Sequence, residues 1–237
     1  MIWFYFLFVF SHFVDLKVFS FVKKSNEMKI YDLSHQLNNH SPVYPGIQPP
    51  EFIPAAQIET HGYRETHFRF HSHLGTHIDA PAHMIANGKT LDQLPVAHFC
   101  GETIIIKTGN PIDIEVFSGL EDKIATSEFV LFNTGWSKFW GSPSYFGNFP
   151  VLMPEALNFL LRFNLKGIGF DHISADSMDS KDYPNHYAIL GKNMIIIENL
   201  VFPDGFAENS GEFNCFPLPY ENADGSPVRA VLKCKRA

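Results

Sequence analysis

Between His73 and His83 the chain reads His-Leu-Gly-Thr-His-Ile-Asp-Ala-Pro-Ala-His, and no other stretch limits the fold as much. Two imidazoles four residues apart, a carboxylate two further on and a third imidazole four beyond that converge on one cation only if the chain turns between them. Gly75-Thr76 supplies that turn, and Pro81 stops any long helix. His73, His77 and Asp79 offer two nitrogens and an oxygen, a set that suits Zn²⁺ or Mn²⁺ and leaves positions open for water, as catalytic sites do. Six of the twelve histidines, His61, His67, His71, His73, His77 and His83, fall within 23 residues. A single histidine on a strand is ordinarily solvated or hydrogen-bonded, and His61, His67, His98 and His172 are read that way. His71 is read likewise, or as a group behind a ligand. The ordered combination from His73 to His83 is much harder to explain without a cation.

Glu198 closes the apolar run Met-Ile-Ile-Ile, where burial would make an unpaired carboxylate costly. A metal is one partner and a Lys or Arg the other. His186, twelve residues earlier in a loop with Pro184 and Asn185, could join Glu198 at a second site if Asp79 bridges. Short strands are expected at Lys29–Leu33, Thr103–Thr108, Phe129–Asn133, Gly167–Asp171, Met194–Ile197 and Val228–Lys235. Thr66–His73 alternates as a half-buried strand should, with Phe68 and Phe70 on one face and His67, Arg69, His71 and His73 on the other. Pro154–Asn164 is the best helix, with Pro154 in its first turn, a stripe of Leu157, Leu160 and Leu161, and Gly167 able to end it. With no repeat or linker, one α/β domain from Met28 onward is the economical reading.

The chain has 237 residues and a formal net charge of −7, which argues against partners held by phosphate contacts, so no nucleic acid is expected. Cys100, Cys215 and Cys234 are widely spaced and odd in number, so neither a disulfide framework nor a thiolate zinc site is expected, and a cytoplasmic setting is the default. Residues 1–27 differ from the rest, holding seven of the 24 phenylalanines. Their apolar run from Ile2 to Phe10 is too short for a stable membrane span, which needs about 20 residues, and it lacks the flanks of a secretory signal. The favoured reading is an apolar extension ahead of a natural start at Met28. A degenerate signal or membrane-associating segment and an extra packed element are the competing readings.

His-x-Gly-Thr-His-x-Asp-Ala-Pro-x-His resembles the signature of the cyclase family of metal-dependent hydrolases, which includes kynurenine formamidases and isatin hydrolases. Tyr31-Asp-Leu-Ser-His35, Val43-Tyr-Pro-Gly46, Thr134-Gly-Trp136, Gly169-Phe-Asp171 with Ser174 and Asp176, and Ile196-Ile-Glu-Asn-Leu200 match as well, so the resemblance spans residues 28–237. It implies an α/β domain around a β-barrel-like mixed sheet flanked by helices, commonly a homodimer with elements exchanged near the active site. It makes His73, His77 and Asp79 the ligands of a first metal, with Asp79 bridging to a second held by His186 and Glu198, and His83 the proton donor and acceptor. Some relatives work with one manganese, so one or two Zn or Mn ions are implied. Tyr44 stands where kynurenine formamidases carry a substrate-contacting tryptophan, which leaves the substrate open.

The implied reaction is hydrolysis of a non-peptide C–N bond in a small, planar or aromatic amide, formamide or cyclic imide, as in an arylformamidase. Aromatic side chains between Phe202 and Phe216 could line the substrate pocket or pack in the core. Ring opening by a single-Mn, isatin-hydrolase-like enzyme is one alternative, and a non-catalytic metal-binding protein is another. A Cys-His nucleophilic hydrolase built on Cys100 or Cys215 is weaker, because neither cysteine sits in a recognisable motif.

Overall fold

The computed structural model describes residues 28–235, so the reading of residues 1–27 as an extension lies outside the described residues. In chain order the strands of the first half are β1 (Met28–Asp32), β2 (Glu51–Ala56), β3 (Glu65–Arg69), β4 (His77–Asp79), β5 (Cys100–Lys107) and β6 (Phe129–Asn133). Those of the second half are β7 (Gly167–Phe170), β8 (Ile195–Glu198), β9 (Ser210–Asn214), β10 (Gly225–Pro227) and β11 (Val231–Lys235). Four short helices, α1 (Ile58–His61), α2 (Glu121–Ala125), α3 (Pro154–Leu160) and α4 (Pro184–Leu190), lie between them.

The runs with the most β-branched and aromatic residues, β5 through β8, are parallel neighbours in the middle of the sheet. Alternation along them feeds two cores. Ile105, Leu131 and Ile197 enter one, while Ile104, Ile106, Val130, Phe132, Ile168 and Ile196 enter the other. Burial on both faces is why these strands read as continuous apolar runs. Parallel neighbours require crossovers, and α2, α3 and α4 supply them, placing Ile124, Leu157, Leu160 and Ile189 on the second core. Truncating such a side chain, as in Leu131→Ala, costs about 2–5 kcal/mol.

Antiparallel strands extend the sheet on both sides, giving the order β1-β11-β9-β5-β6-β7-β8-β4-β10. The sheet curls back on itself, because Ser34, just past β1, bridges to Leu200, just past β8, and the Val201 N–H donates to the Leu33 carbonyl at 3.0 Å. The first core, with Leu33, Ile78, Phe213 and Leu232, lies within that curl. The expected single α/β domain with a barrel-like mixed sheet and flanking helices is therefore the fold.

Three local expectations are corrected. The strand read as Thr66–His73 is β3, ending at Arg69, and it pairs only with β2 in a separate two-stranded sheet. With no core beneath it, β3 is exposed on both faces, and Phe68 keeps 58% of its surface in solvent. The helix from Pro154 stops at Leu160, and Gly167 opens β7 instead of ending the helix. His186 lies in α4 and not in a loop, since Pro184 starts the helix.

Candidate metal centre

Strand register brings the first groups together. β4 runs antiparallel to β8 with His77 opposite Glu198, and β10 runs antiparallel to β4 with Gly225 opposite Asp79. Residues two apart on a strand share a face, so His77, Asp79 and Glu198 project to the same side. Gly75, with φ of 61°, makes the left-handed turn that returns His73 to this face, and a Cβ there would run into Leu37. His186 enters from the first turn of α4, and His83 from the short 3₁₀ turn Pro81–His83.

The side chains converge tightly. Asp79 Oδ1 lies 2.6 Å from His73 Nδ1 and 3.3 Å from His77 Nε2, while Asp79 Oδ2 lies 3.7 Å from His186 Nε2. Glu198 reaches His77 Nε2 at 3.5 Å and His186 Nε2 at 3.3 Å. His73, His77 and Asp79 form one set whose ligand atoms all lie within 4.8 Å of one another, and Asp79, His186 and Glu198 form another. Each of these histidines has its other ring nitrogen engaged. His77 Nδ1–H donates to the Gly75 carbonyl at 2.8 Å, His186 Nδ1–H to Asp176 at 2.7 Å, and His73 Nε2–H to Asp224 at 3.1 Å. Holding the far nitrogen fixes both tautomer and ring orientation, as metal-binding histidines require.

Electrostatics agree with that arrangement. Burial works against a charged His73, but Asp79 and Asp224 outweigh it and hold its pKa at about 10. For His186 burial is likewise outweighed, by Asp176 and Glu198, again giving about 10. Glu198 is pushed up by burial and by the facing Asp79. For Asp79 burial acts upward, yet His73 and His77 hold it well below the usual carboxylate range. Two buried carboxylates thus draw positive charge into the cluster from every side, the condition under which a divalent cation binds in place of protons. The donors are imidazole nitrogen and carboxylate oxygen without thiolate, a set that fits Zn²⁺ or Mn²⁺.

The cluster forms the floor of a cavity of about 240 Å³ whose walls include Val43, Tyr44, Ile47, Met84, Ile173 and Tyr183. Tyr44 therefore faces the cluster, and Tyr183 holds a left-handed backbone, φ 44°, just before α4. Strain of this kind in a non-glycine residue commonly accompanies functional sites. His83 also lines the cavity, its ring centroid 4.1 Å from that of His73, and burial pushes its pKa below the ordinary imidazole value.

His67 lies on β3 and the His61 ring accepts the Gln57 N–H at α1, while His98 faces the Lys166 carbonyl at 3.1 Å, all apart from the cluster. His172 is fully buried, donating from Nδ1 to the Ser174 carbonyl at 2.8 Å, with Nε2 unpartnered. Phe202 and Phe213 pack in the first core, so the aromatics after Phe202 do not wall the cavity. Cys215 is buried with its thiol pushed up by desolvation, and its sulfur contacts the Phe99 carbonyl; Cys100 contacts the Ala97 carbonyl. Among the described residues no imidazole hydrogen-bonds to either cysteine. Sequence reasoning missed Asp224 altogether, and it noted Asp176 only as a matching position.

Known proteins resemble this chain in sequence and in fold. The model of the Cyclase family matches residues 31–177. The kynurenine formamidase of Geobacillus thermodenitrificans is 30% identical over 205 residues, covering 85% of this chain and 96% of that enzyme. That of Bacillus thuringiensis subsp. konkukian is 31% identical over 207 residues, with 85% and 96% covered. Isatin hydrolase A from Labrenzia aggregata superposes with a TM-score of 0.78 at 24% identity, over 88% of this chain and 94% of that one, a likeness of fold. A structure described as a predicted metal-dependent hydrolase from Bacillus stearothermophilus gives a TM-score of 0.71 at 25% identity, with 87% and 98% covered. With the family model matched over more than half of its residues and relatives covered almost end to end, the chain belongs to the Cyclase family.

Proposed function

We propose that the protein is a metal-dependent hydrolase of the arylformamidase type, which cleaves a non-peptide C–N bond in a small planar or aromatic amide. One observation carries this reading: a buried Asp79 offers one oxygen to His73 and His77 and the other toward His186, with Glu198 completing the ring. The kynurenine formamidase relatives, aligned over 96% of their own length, support the reaction class. His73, His77 and Asp79 would hold the first ion, and Asp79, His186 and Glu198 the second, each Zn²⁺ or Mn²⁺. Bound there, such ions would lower the pKa of a coordinated water to about 7 and polarise a carbonyl.

The chain's own groups do the rest. Val43, Ile47, Met84 and Ile173 exclude water around a flat substrate, and Tyr44 offers a phenol at the rim. His83 Nε2 or Nδ1 takes the proton released when water attacks and returns it to the departing nitrogen. Its lowered pKa keeps the ring neutral at pH 7 and ready to accept that proton. The protein acts as a homodimer, a reading supported by the β2–β3 arm, whose Ile53 and Phe68 stay exposed on a hairpin that two strands alone stabilise poorly. Three free cysteines support a cytoplasmic setting, and among the described residues no helix is long and apolar enough to cross a membrane.

The test is an assay on N-formylkynurenine, isatin and a simple cyclic imide before and after EDTA, followed by Mn²⁺ or Zn²⁺. Turnover of the formamide that disappears with EDTA and returns with the ion supports the reading. Preference for isatin would shift it to ring opening, and failure to turn over any of the three would leave only a metal-binding protein.

A further inference from the structure

Asp224 stands on the opposite side of the His73 ring from Asp79. Its Oδ2 lies 3.1 Å from His73 Nε2, 3.2 Å from Ser72 Oγ and 4.0 Å from His83 Nδ1, and its Oδ1, at 3.2 Å, shares the Tyr220 hydroxyl proton with the Gly225 carbonyl, at 2.5 Å. The backbone fixes this carboxylate as firmly as its side-chain partners do. The Ala80 N–H donates to the Asp224 carbonyl at 2.9 Å, and the next residue, Gly225, pairs with Asp79 across β10 and β4. Gly225 is also the floor under the imidazole, because a Cβ there would stand 2.5 Å from His73 Cε1. His73 is therefore seated on a glycine and gripped at both nitrogens, by Asp79 at the end of β4 and by Asp224 in the bend just before β10.

We propose that Asp224 is a positioning residue: it accepts the Nε2–H of His73, so that the Nδ1 lone pair faces the first ion, and it keeps His83 beside that ring without itself binding metal. A histidine whose outer nitrogen meets a carboxylate is a stiffer and more basic ligand, and losing such a partner typically costs 10- to 100-fold in metal affinity or activity. Ser72 and Tyr220 hold the carboxylate in place, so this part of the β10 turn belongs to the site although it lies 151 residues from His73.

The inference rests on the metal-hydrolase reading, and the experiment separates the two. Protein stripped with EDTA is titrated with Mn²⁺ or Zn²⁺ against a chromophoric chelator, as wild type and as Asp224→Ala, Asp224→Asn and Asp224→Glu. Asp224→Ala is expected to weaken the tightest ion about 10- to 100-fold. Asp224→Asn, whose amide oxygen still accepts from Nε2–H, should weaken it less, and Asp224→Glu should recover part of the loss. The number of ions at saturation and the melting temperature of the stripped protein should match wild type, and at saturating metal kcat should fall while KM holds. If Asp224→Ala does not fold, Tyr220→Phe, which removes one anchor, carries the same titration with a smaller expected weakening. Wild-type affinity in Asp224→Ala and Asp224→Asn overturns the proposal, and so does loss of one whole ion, which would make Asp224 a ligand. A wild-type protein that takes up no divalent ion would instead sink the metal reading and this role with it.

Discussion

The floor of the cavity and the β2–β3 arm are opposite solutions to placing side chains. At the floor, His73, His77, Asp79, His186 and Glu198 are each held by at least two partners from different segments, and four of the five are buried. On the arm, strands β2 and β3 pair only with each other, and the Phe52, Phe68 and Phe70 rings touch chiefly among themselves. The contrast teaches that a histidine count says little about chemistry. His67 sits in the same cluster of sequence as His73, yet only the residues returned by the Gly75 turn meet a carboxylate.

The largest test of that contrast is Asp79→Ala, which removes the oxygen atoms common to both ligand sets. It should abolish turnover and leave the purified protein almost without metal by elemental analysis, whereas His67→Ala on the arm should change neither. His83→Ala probes the next level, the proposed role of His83 in moving protons without holding an ion: kcat is expected to drop about 10²–10⁴-fold with metal content unchanged. A drop in bound metal would reassign His83 to the ligands.

Stability against acid gives a third, smaller effect. His172 is fully buried and kept neutral, with a pKa lowered to about 3 by desolvation. The unfolded chain takes up that proton below about pH 6.5 while the folded chain does not, so stability is complete above 6.5 and falls as pH drops toward 3. The expected slope is about 1.4 kcal/mol per pH unit, readable as urea midpoints between pH 7 and 5, and His172→Phe should flatten it. Equal slopes in both proteins would remove His172 as the cause. The smallest effect belongs to the arm: Phe68→Glu should shift stability by no more than about 0.5 kcal/mol, yet halve the mass measured by light scattering. An unchanged mass would mean that the arm does not hold two chains together.

Much of this could be read from sequence where the physics is local. β6 is Phe129–Asn133 as its apolar run foretells, and β8 ends on Glu198 because a strand core carries its own hydrophobic signal. The spacing from His73 to His83 reports a site since one turn at Gly75 suffices to fold it. β4 and β10 escaped notice for the opposite reason. Each has only three residues, one contains Pro227, and each is a strand only through partners more than a hundred residues away, β8 and β10 for β4 and β4 for β10. Asp224 has no periodic signal of any kind, and what places it, the pairing of Gly225 with Asp79 and its close approach to His73, exists only in the fold. β3 misled because alternation marks a surface able to pack, and nothing in sequence tells whether a core is there to receive it.

The spread of the cluster along the chain also bears on how the protein is made. His77 on β4 faces Glu198 on β8, more than a hundred residues further along the chain, so the ring of donors exists only after those strands have found each other. Closing loops of that length is a late event in folding. An ion held by these donors would be loaded onto a finished sheet and would not nucleate it as in a zinc finger, so the apoprotein should refold at the same rate with or without metal in the buffer.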